Sequence, residues 1–349
     1  MILCREQVSA GLDVTVVPLG GVPELMREFS SSGILVDLSL NNQNFLTQLF
    51  LIRKMGLGGD IWHAHLPQAE LLLAFTKGTP VVVTRHFGGK FYPRAPKIIS
   101  SGLSRFASCN ARGIVSISDF VSEYLKNSNE LSKSKRMEVI PYGFDSQAYL
   151  NTKKLDSVGE GSKLNGPIFG TLARLSPEKD LETLIKGFHT YLVKTSKNAQ
   201  LHIYGEGPEG PKLKLLVKSL NLSERVLFKG RTNDSAGTIG QFDTFILTSR
   251  FEGFGMVLLE SMAVGIPIIC SRIPAALEVL GNEGAASFFE AGNEIDLADK
   301  MEKSQNFFSN DFRVKQRERL KLFDSKTMSD AVNEFYHELL NKSDSNSPE

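Results

Sequence analysis

Short runs of aliphatic and β-branched residues recur along the chain at positions 14–18, 61–64, 81–84, 113–117 and 139–141, with helical stretches between them. Apolar runs of strand length alternating with helices predict parallel strands covered on both faces. The second half repeats the pattern at 168–172, 200–204, 226–228, 244–248, 266–270 and 286–289, separated by segments such as 180–194 and 213–220. Two α/β domains follow. Between them, residues 150–167 carry Asn151-Thr-Lys-Lys and a Gly/Ser-rich stretch with little apolar content, the composition of an exposed linker, which sets the domains at 1–160 and 161–325.

Near the end, Met328, Val332, Phe335, Tyr336, Leu339 and Leu340 recur at helical spacing and predict an amphipathic helix over 326–342, with 343–349 as a frayed tail. The beginning breaks the pattern. A doubly wound domain opens with a buried strand and a glycine-rich turn, whereas residues 3–10 read as the end of a helix closed by Gly11, so the first domain is expected to lack its N-terminal strand.

The 349 residues are 41% hydrophobic and 23% charged, enough apolar chain for two cores, which excludes disordered and fibrous classes. With 40 Lys+Arg against 39 Asp+Glu, nothing argues for polyanion binding, and nucleic acid drops out as a partner. Cys4, Cys109 and Cys270 fit neither a disulfide framework nor a metal-site spacing. No apolar run nears the roughly 20 residues that span a bilayer, and Met1–Gln7 lacks the basic and apolar regions of a secretory signal, so a cytoplasmic protein is expected.

The segment 249–267 carries the most chemical information. An apolar strand leads through Glu252, Gly253, Phe254 and Gly255 into a helix starting near Met256 and Val257. Free N–H groups and the dipole of a helix start attract phosphate, and glycines let the backbone approach it. Glu260 lies about one turn inside that helix, where a carboxylate can accept hydrogen bonds from neighbouring sugar hydroxyls; two acids flanking an ordinary amphipathic helix is the plainer alternative.

The whole string resembles the Glu-x7-Glu motif of retaining glycosyltransferases of the GT-B fold, in particular glycosyltransferase family 4. The resemblance covers almost the entire second domain. It implies that Arg174 and Lys179, in the segment from Gly170 to Asp180, neutralise a nucleotide diphosphate, where negative charge develops as the glycosidic bond breaks. It also implies two Rossmann-like domains facing across a cleft, the donor held mainly by the second and the acceptor by the first, with the 326–342 helix crossing back to the first. Gly205-Glu-Gly-Pro-Glu-Gly210 formally satisfies the dinucleotide fingerprint, but Pro208 removes a donor and Lys229-Gly230-Arg231 stands where an acid belongs; the resemblance places Gly205 and Gly207 near the nucleotide instead.

In the first domain, Thr79-Pro-Val-Val-Val-Thr-Arg-His86 resembles the family's strand-end histidine near the donor sugar, and His63 and His65 alternate on one face. No carboxylate cluster accompanies them, so no metal is expected. Positions 71–118 hold seven cations and no acid (Lys77, Arg85, Lys90, Arg94, Lys97, Arg105, Arg112), interleaved with apolar residues. The 77–112 interval reads either as peripheral contact with an anionic membrane or as a solvated face balanced from elsewhere. Tyr142 stands where the family commonly has Asn.

The resemblance thus implies metal-independent transfer of a sugar, with retention, from a nucleotide-diphosphate sugar to a saccharide or lipid-linked acceptor in envelope polysaccharide, lipopolysaccharide or glycolipid assembly. Glu260 would hold the ribose, Glu252 the donor sugar, and His86 would contact the sugar from the other wall. A nicotinamide oxidoreductase using the 205–210 loop and a noncatalytic, membrane-associated remnant are the competing readings.

Overall fold

The computed structural model describes residues 1–21, 23–55, 58–93, 95–128, 130–131, 135–146, 149, 166–282, 284–304 and 310–344. Most of the expected linker, Arg94 and the last five residues lie outside these. The chain divides into two compact units, Met1–Gly143 with Phe323–Glu349, and Phe144–Leu322.

In the first unit, β1 (Thr15–Val16) and β2 (Leu35–Val36) form a two-stranded parallel pair. A four-stranded parallel sheet runs in the order β3 (Trp62–His65), β4 (Val81–Arg85), β5 (Ala111–Ser116), β6 (Arg136–Val139). Every residue of β4 is buried, as its unbroken Val-Val-Val run requires of an inner strand, while the edge strand β6 is half polar. The described chain opens with the helix Ile2–Ser9, which packs beside the helix Ser325–Asp344. Val332, Phe335 and Leu339 of the latter pack against Val82, Val115 and Ile140. Gly113 on β5 makes the room: a Cβ there would strike Phe335 and Leu339.

The second unit is a six-stranded parallel sheet built from β7 (Ile168–Leu172), β8 (Gln200–Tyr204), β9 (Val226–Gly230), β10 (Thr244–Leu247), β11 (Ile268–Ser271) and β12 (Ser287–Phe289). Its order is β9-β8-β7-β10-β11-β12, so the direction of winding reverses between β7 and β10. In such sheets ligands bind beyond the carboxyl ends of the strands at that reversal. The core on one face joins Phe169, Leu201 and Ile203 to Leu184, Phe188 and Tyr191 of the helix Leu181–Thr195. Asp180 caps this helix by accepting from the Thr183 amide and hydroxyl. Among the described residues, no helix is long and apolar enough to cross a membrane.

Candidate active site

The loops after β7 and β10 meet at the winding reversal of the second unit. The Lys179 ammonium donates to Glu252 Oε1 at 2.6 Å, and the Ser249 hydroxyl donates to the same oxygen at 2.6 Å. The Thr248 hydroxyl donates to the Lys179 carbonyl, the Arg250 amide to the Glu178 carbonyl, and the Arg250 guanidinium to Asp180. The backbone and side chains of the two loops are thus tied together, and Arg174 stands exposed just beyond β7.

Glu252 is followed by Gly253, the buried Phe254 and Gly255, whose φ of +96° a side chain would strain, and then by the helix Met256–Val264 with Met256 and Val257 in its first turn. One turn in, the half-buried Glu260 lies near Tyr149 and Ser235, whose hydroxyls are 3.3 Å apart, and burial raises its carboxyl above the ordinary range. Neither partner was visible in the sequence; Tyr149 lies 111 positions upstream of Glu260 (260 − 149) with no motif around it.

The loop after β8 packs its backbone on the loop after β7. A Cβ on Gly205, φ +129°, would collide with the Ala173 carbonyl, and one on Gly207 with the Leu175 backbone. The Leu175 amide donates to the Glu206 carbonyl and the Glu209 amide to the Leu175 carbonyl. Close backbone packing on the β7 loop therefore accounts for both glycines, and Arg231 follows β9, paired with Glu206 at 3.3 Å.

In the first unit, the histidines gather at the carboxyl ends of β3 and β4. His63 is held by the Tyr336 hydroxyl at Nδ1 and by Thr84 Oγ1, 2.6 Å from Nε2, joining the last helix to the sheet. His86 Nδ1 is hydrogen-bonded to the Tyr142 hydroxyl, and His86 Nε2 lies 3.1 Å from His65 Nδ1. Burial pushes His86 down to about 4 and the Tyr142 phenol up to about 12, so both are uncharged at neutral pH. Among the described residues, no group of three His, Cys, Asp or Glu side chains is arranged to hold a metal ion.

Arg85, read in the sequence as one of seven cations on a basic surface, is buried. Its Nε lies 2.9 Å from Glu70, Nη1 lies 4.0 Å from Glu130, and the Ser104 hydroxyl accepts from Nη1 at 2.9 Å. Burial pushes the Glu70 carboxyl up to about 7 despite the guanidinium beside it.

The profile described as Glycosyltransferase Family 4 matches residues 1–148, and that of Glycosyl transferases group 1 matches residues 153–321. Together they take in nearly the whole sequence. The chain belongs to glycosyltransferase family 4. Among curated proteins, this family 4 chain is 29% identical over 182 residues to the N-acetyl-alpha-D-glucosaminyl L-malate synthase of Bacillus anthracis, covering 50% of the chain and 46% of that protein. It is 33% identical over 147 residues to the O-antigen biosynthesis glycosyltransferase WclY of Escherichia coli, covering 42% and 40%. The match thus spans less than half the length of either relative.

Its fold is that of GT-B glycosyltransferases. A glycosyltransferase from Rickettsia africae superposes with a TM-score of 0.78 at 19% identity, covering 97% of this chain and 93% of that one. Anabaena HepE in complex with UDP-glucose gives 0.78 at 18% identity, covering 97% and 94%. None of these similarities supports the nicotinamide reading of the 205–210 loop. Of the residues singled out in the sequence, Lys179, Glu252 and the 253–257 helix start come together in the family 4 chain's second unit. Glu260 lies one turn further along the helix, Gly205 and Gly207 pack on the loop after β7, and His86 belongs to the first unit.

Proposed function

We propose that the chain is a retaining glycosyltransferase that moves a sugar from a nucleotide-diphosphate sugar to an acceptor hydroxyl in envelope polysaccharide, lipopolysaccharide or glycolipid assembly. The observation that carries this reading is the joining of Lys179, Glu252 and a glycine-opened helix start at the winding reversal of the second unit.

A diphosphate leaving group gains negative charge as its bond to the sugar breaks, and fixed positive charge nearby lowers the barrier. Arg174, Lys179 and the N–H groups at Met256 and Val257 supply that charge, and the reading assigns no metal ion to the task. Glu260, beside the Tyr149 and Ser235 hydroxyls, accepts from the ribose hydroxyls. Glu252, oriented by Lys179 and Ser249, accepts from the donor sugar. The strand-end imidazoles of the first unit serve the sugar substrates, which carry hydroxyls and no charge at the reacting centre. Retention follows the family resemblance: attack on the face the diphosphate leaves, with the departing phosphate taking the acceptor's proton.

Membrane-linked acceptors suit the helix Lys97–Cys109. It turns Ser100, Ser104, Ala107 and Ser108 inward, because Ser104 joins Arg85 to the Glu130 carbonyl, and leaves Ile98, Ile99 and Phe106 exposed beside Lys97 and Arg105. Exposed apolar residues beside cations fit an anionic lipid surface, so the chain should sediment with phosphatidylglycerol vesicles and not with phosphatidylcholine ones.

A thermal-shift panel of UDP, GDP, ADP, their sugar conjugates and NAD tests the donor assignment. One nucleotide family should raise the melting temperature, since a ligand that binds only the folded state stabilises it. Response to NAD alone would overturn the transferase reading.

A further inference from the structure

Arg85 brings one guanidinium to two buried carboxylates. Besides facing Glu70 and Glu130, it donates from Nη2 to the Ser104 carbonyl at 3.5 Å, and the Ser104 hydroxyl donates on to the Glu130 carbonyl at 3.0 Å. The ring of the buried Phe91 lies over the guanidinium, 4.6 Å from its central carbon. Arg85 therefore meets the chain twice: it ends β4 immediately before His86, and it holds Phe91 near the far end of the loop 87–92. Between these points the buried Gly88 lies against the helix Asp119–Asn127, where a Cβ would come within 3.0 Å of Phe120 and 3.1 Å of Tyr124. After Phe91 the Tyr92 amide donates to Ser100 Oγ at 3.0 Å. Glu70 comes from the helix Pro67–Leu73, which starts at a strained residue: Leu66 has φ +75° and ψ +153°, a region reserved almost entirely for glycine, although it is 61% exposed. Strain of this kind persists where the surroundings hold it.

We propose that Arg85 is a positioning residue: joined to Glu70 and Glu130 and covered by Phe91, it clamps the loop 87–92 and so holds the segment that His86 opens in place for the sugar substrates; this rests on the transferase reading. One guanidinium does not neutralise two carboxylates. With all three groups ionised the cluster carries net negative charge out of water, so a proton on one carboxyl completes the clamp and its departure loosens it. Glu70, pushed up to about 7 by burial, is that carboxyl; burial raises Glu130 as well. Among the described residues, the other titratable groups at the cluster are Tyr92 on the loop and Tyr124 on the helix Asp119–Asn127, whose phenols burial raises, so both stay neutral. Lys97 and Arg105 on the helix Lys97–Cys109, and Glu123 and Lys126 on Asp119–Asn127, are exposed. His86 and His65, lowered by burial to about 4 and about 3, do not titrate between pH 6 and 8.

The wild-type chain and Glu70→Gln, which is neutral at every pH, are compared at pH 6 and pH 8. A group titrating at about 7 is about nine-tenths protonated at the first and about one-tenth at the second. Amide hydrogen exchange over 86–92, divided by the intrinsic rate, should therefore quicken about tenfold in the wild type between the two and stay constant in Glu70→Gln. The functional probe is whichever nucleotide sugar of a UDP-, GDP- and ADP-sugar panel the wild type turns over, read as release of nucleoside diphosphate. Across the same interval the ratio of kcat/KM in Glu70→Gln to that in the wild type should rise about tenfold. Arg85→Lys keeps the charge but loses the fork, and should show fast exchange at both pH values with a lowered kcat/KM. A pH dependence shared by the wild type and Glu70→Gln, or exchange over 86–92 in Arg85→Lys no faster than in the wild type, would overturn the proposal. Stabilisation by the nucleotide, assigned to the second unit, should be alike in all three chains, which keeps failure of the clamp distinct from failure of the transferase reading. A wild-type chain that neither binds nor turns over any member of the panel overturns the transferase reading, and the exchange comparison then decides the clamp by itself.

Discussion

Replacing Lys179 by Met keeps the unbranched stem and removes the ammonium, leaving the Glu252 carboxylate with only the Ser249 hydroxyl on Oε1. The pair is mostly enclosed, with side-chain exposures of 20% and 10%. Removing one partner of a fully buried ion pair destabilises by about 3–5 kcal/mol, because the remaining charge stays buried without compensation. Lys179 keeps a fifth of its surface in water, so about 2–3 kcal/mol is expected here. At about 2–4 °C per kcal/mol for a unit of this size, melting of the second unit should fall by about 4–12 °C. Calorimetry of the wild type, Lys179→Met, Glu252→Gln and the double variant closes a double-mutant cycle, in which the double variant should regain much of the loss. The same Lys179→Met chain should lose most of its stabilisation by the nucleoside diphosphate. A melting temperature unchanged within about 1 °C, with no coupling in the cycle, would refute the claim that this pair ties the two loops together.

Glu260→Ala should abolish donor-dependent stabilisation while folding is retained, because a half-buried carboxylate placed to accept from the ligand is removed; titration calorimetry with the nucleotide checks it. Gly113→Ala should destabilise the first unit by about 1–3 kcal/mol in urea, since its methyl would meet Phe335 and Leu339; a stabilised variant would show that the last helix does not press on β5. Glu70, pushed up to about 7, holds its proton more tightly folded than unfolded, so its contribution to stability falls as pH rises from the ordinary carboxyl range through 7. Urea titrations across that window should show the slope difference between wild type and Glu70→Gln, and parallel curves would contradict it. Leu66→Gly should melt no lower than wild type, because relief of about 1–3 kcal/mol of strain outweighs the extra backbone entropy of glycine, yet turn over more slowly.

The inner strands were legible because burial on both faces demands unbroken apolar runs: 81–84, 168–172 and 244–248 mark β4, β7 and β10. Edges were less so. β6 occupies 136–139 rather than 139–141, because an edge strand tolerates Arg136 and Glu138 and its register comes from pairing with β5. The two-residue β2 leaves no pattern at all. Arg85 was misplaced on the surface because its acids lie outside the interval that drew attention, at positions 70 and 130, and only the fold brings them to it. The resemblance set Gly205 and Gly207 near the nucleotide, but their close approach to the backbone of the loop after β7 is a tertiary fact with no signal in the sequence. The candidate acids and cations were singled out through the family resemblance of their segments; Tyr149, Ser235 and the His65–His86–Tyr142 chain, assembled from distant segments, had no such signal.

Transfer itself is tested most directly by incubating the chain with the nucleotide sugar that stabilises it and a panel of saccharide and lipid-linked acceptors, then reading the anomeric configuration of the product by proton NMR. An α-linked donor should give an α-linked glycoside together with one nucleoside diphosphate per bond formed. A β-linked product would contradict retention, and release of no glycoside from any donor that binds would contradict the assignment of glycosyl transfer to this site.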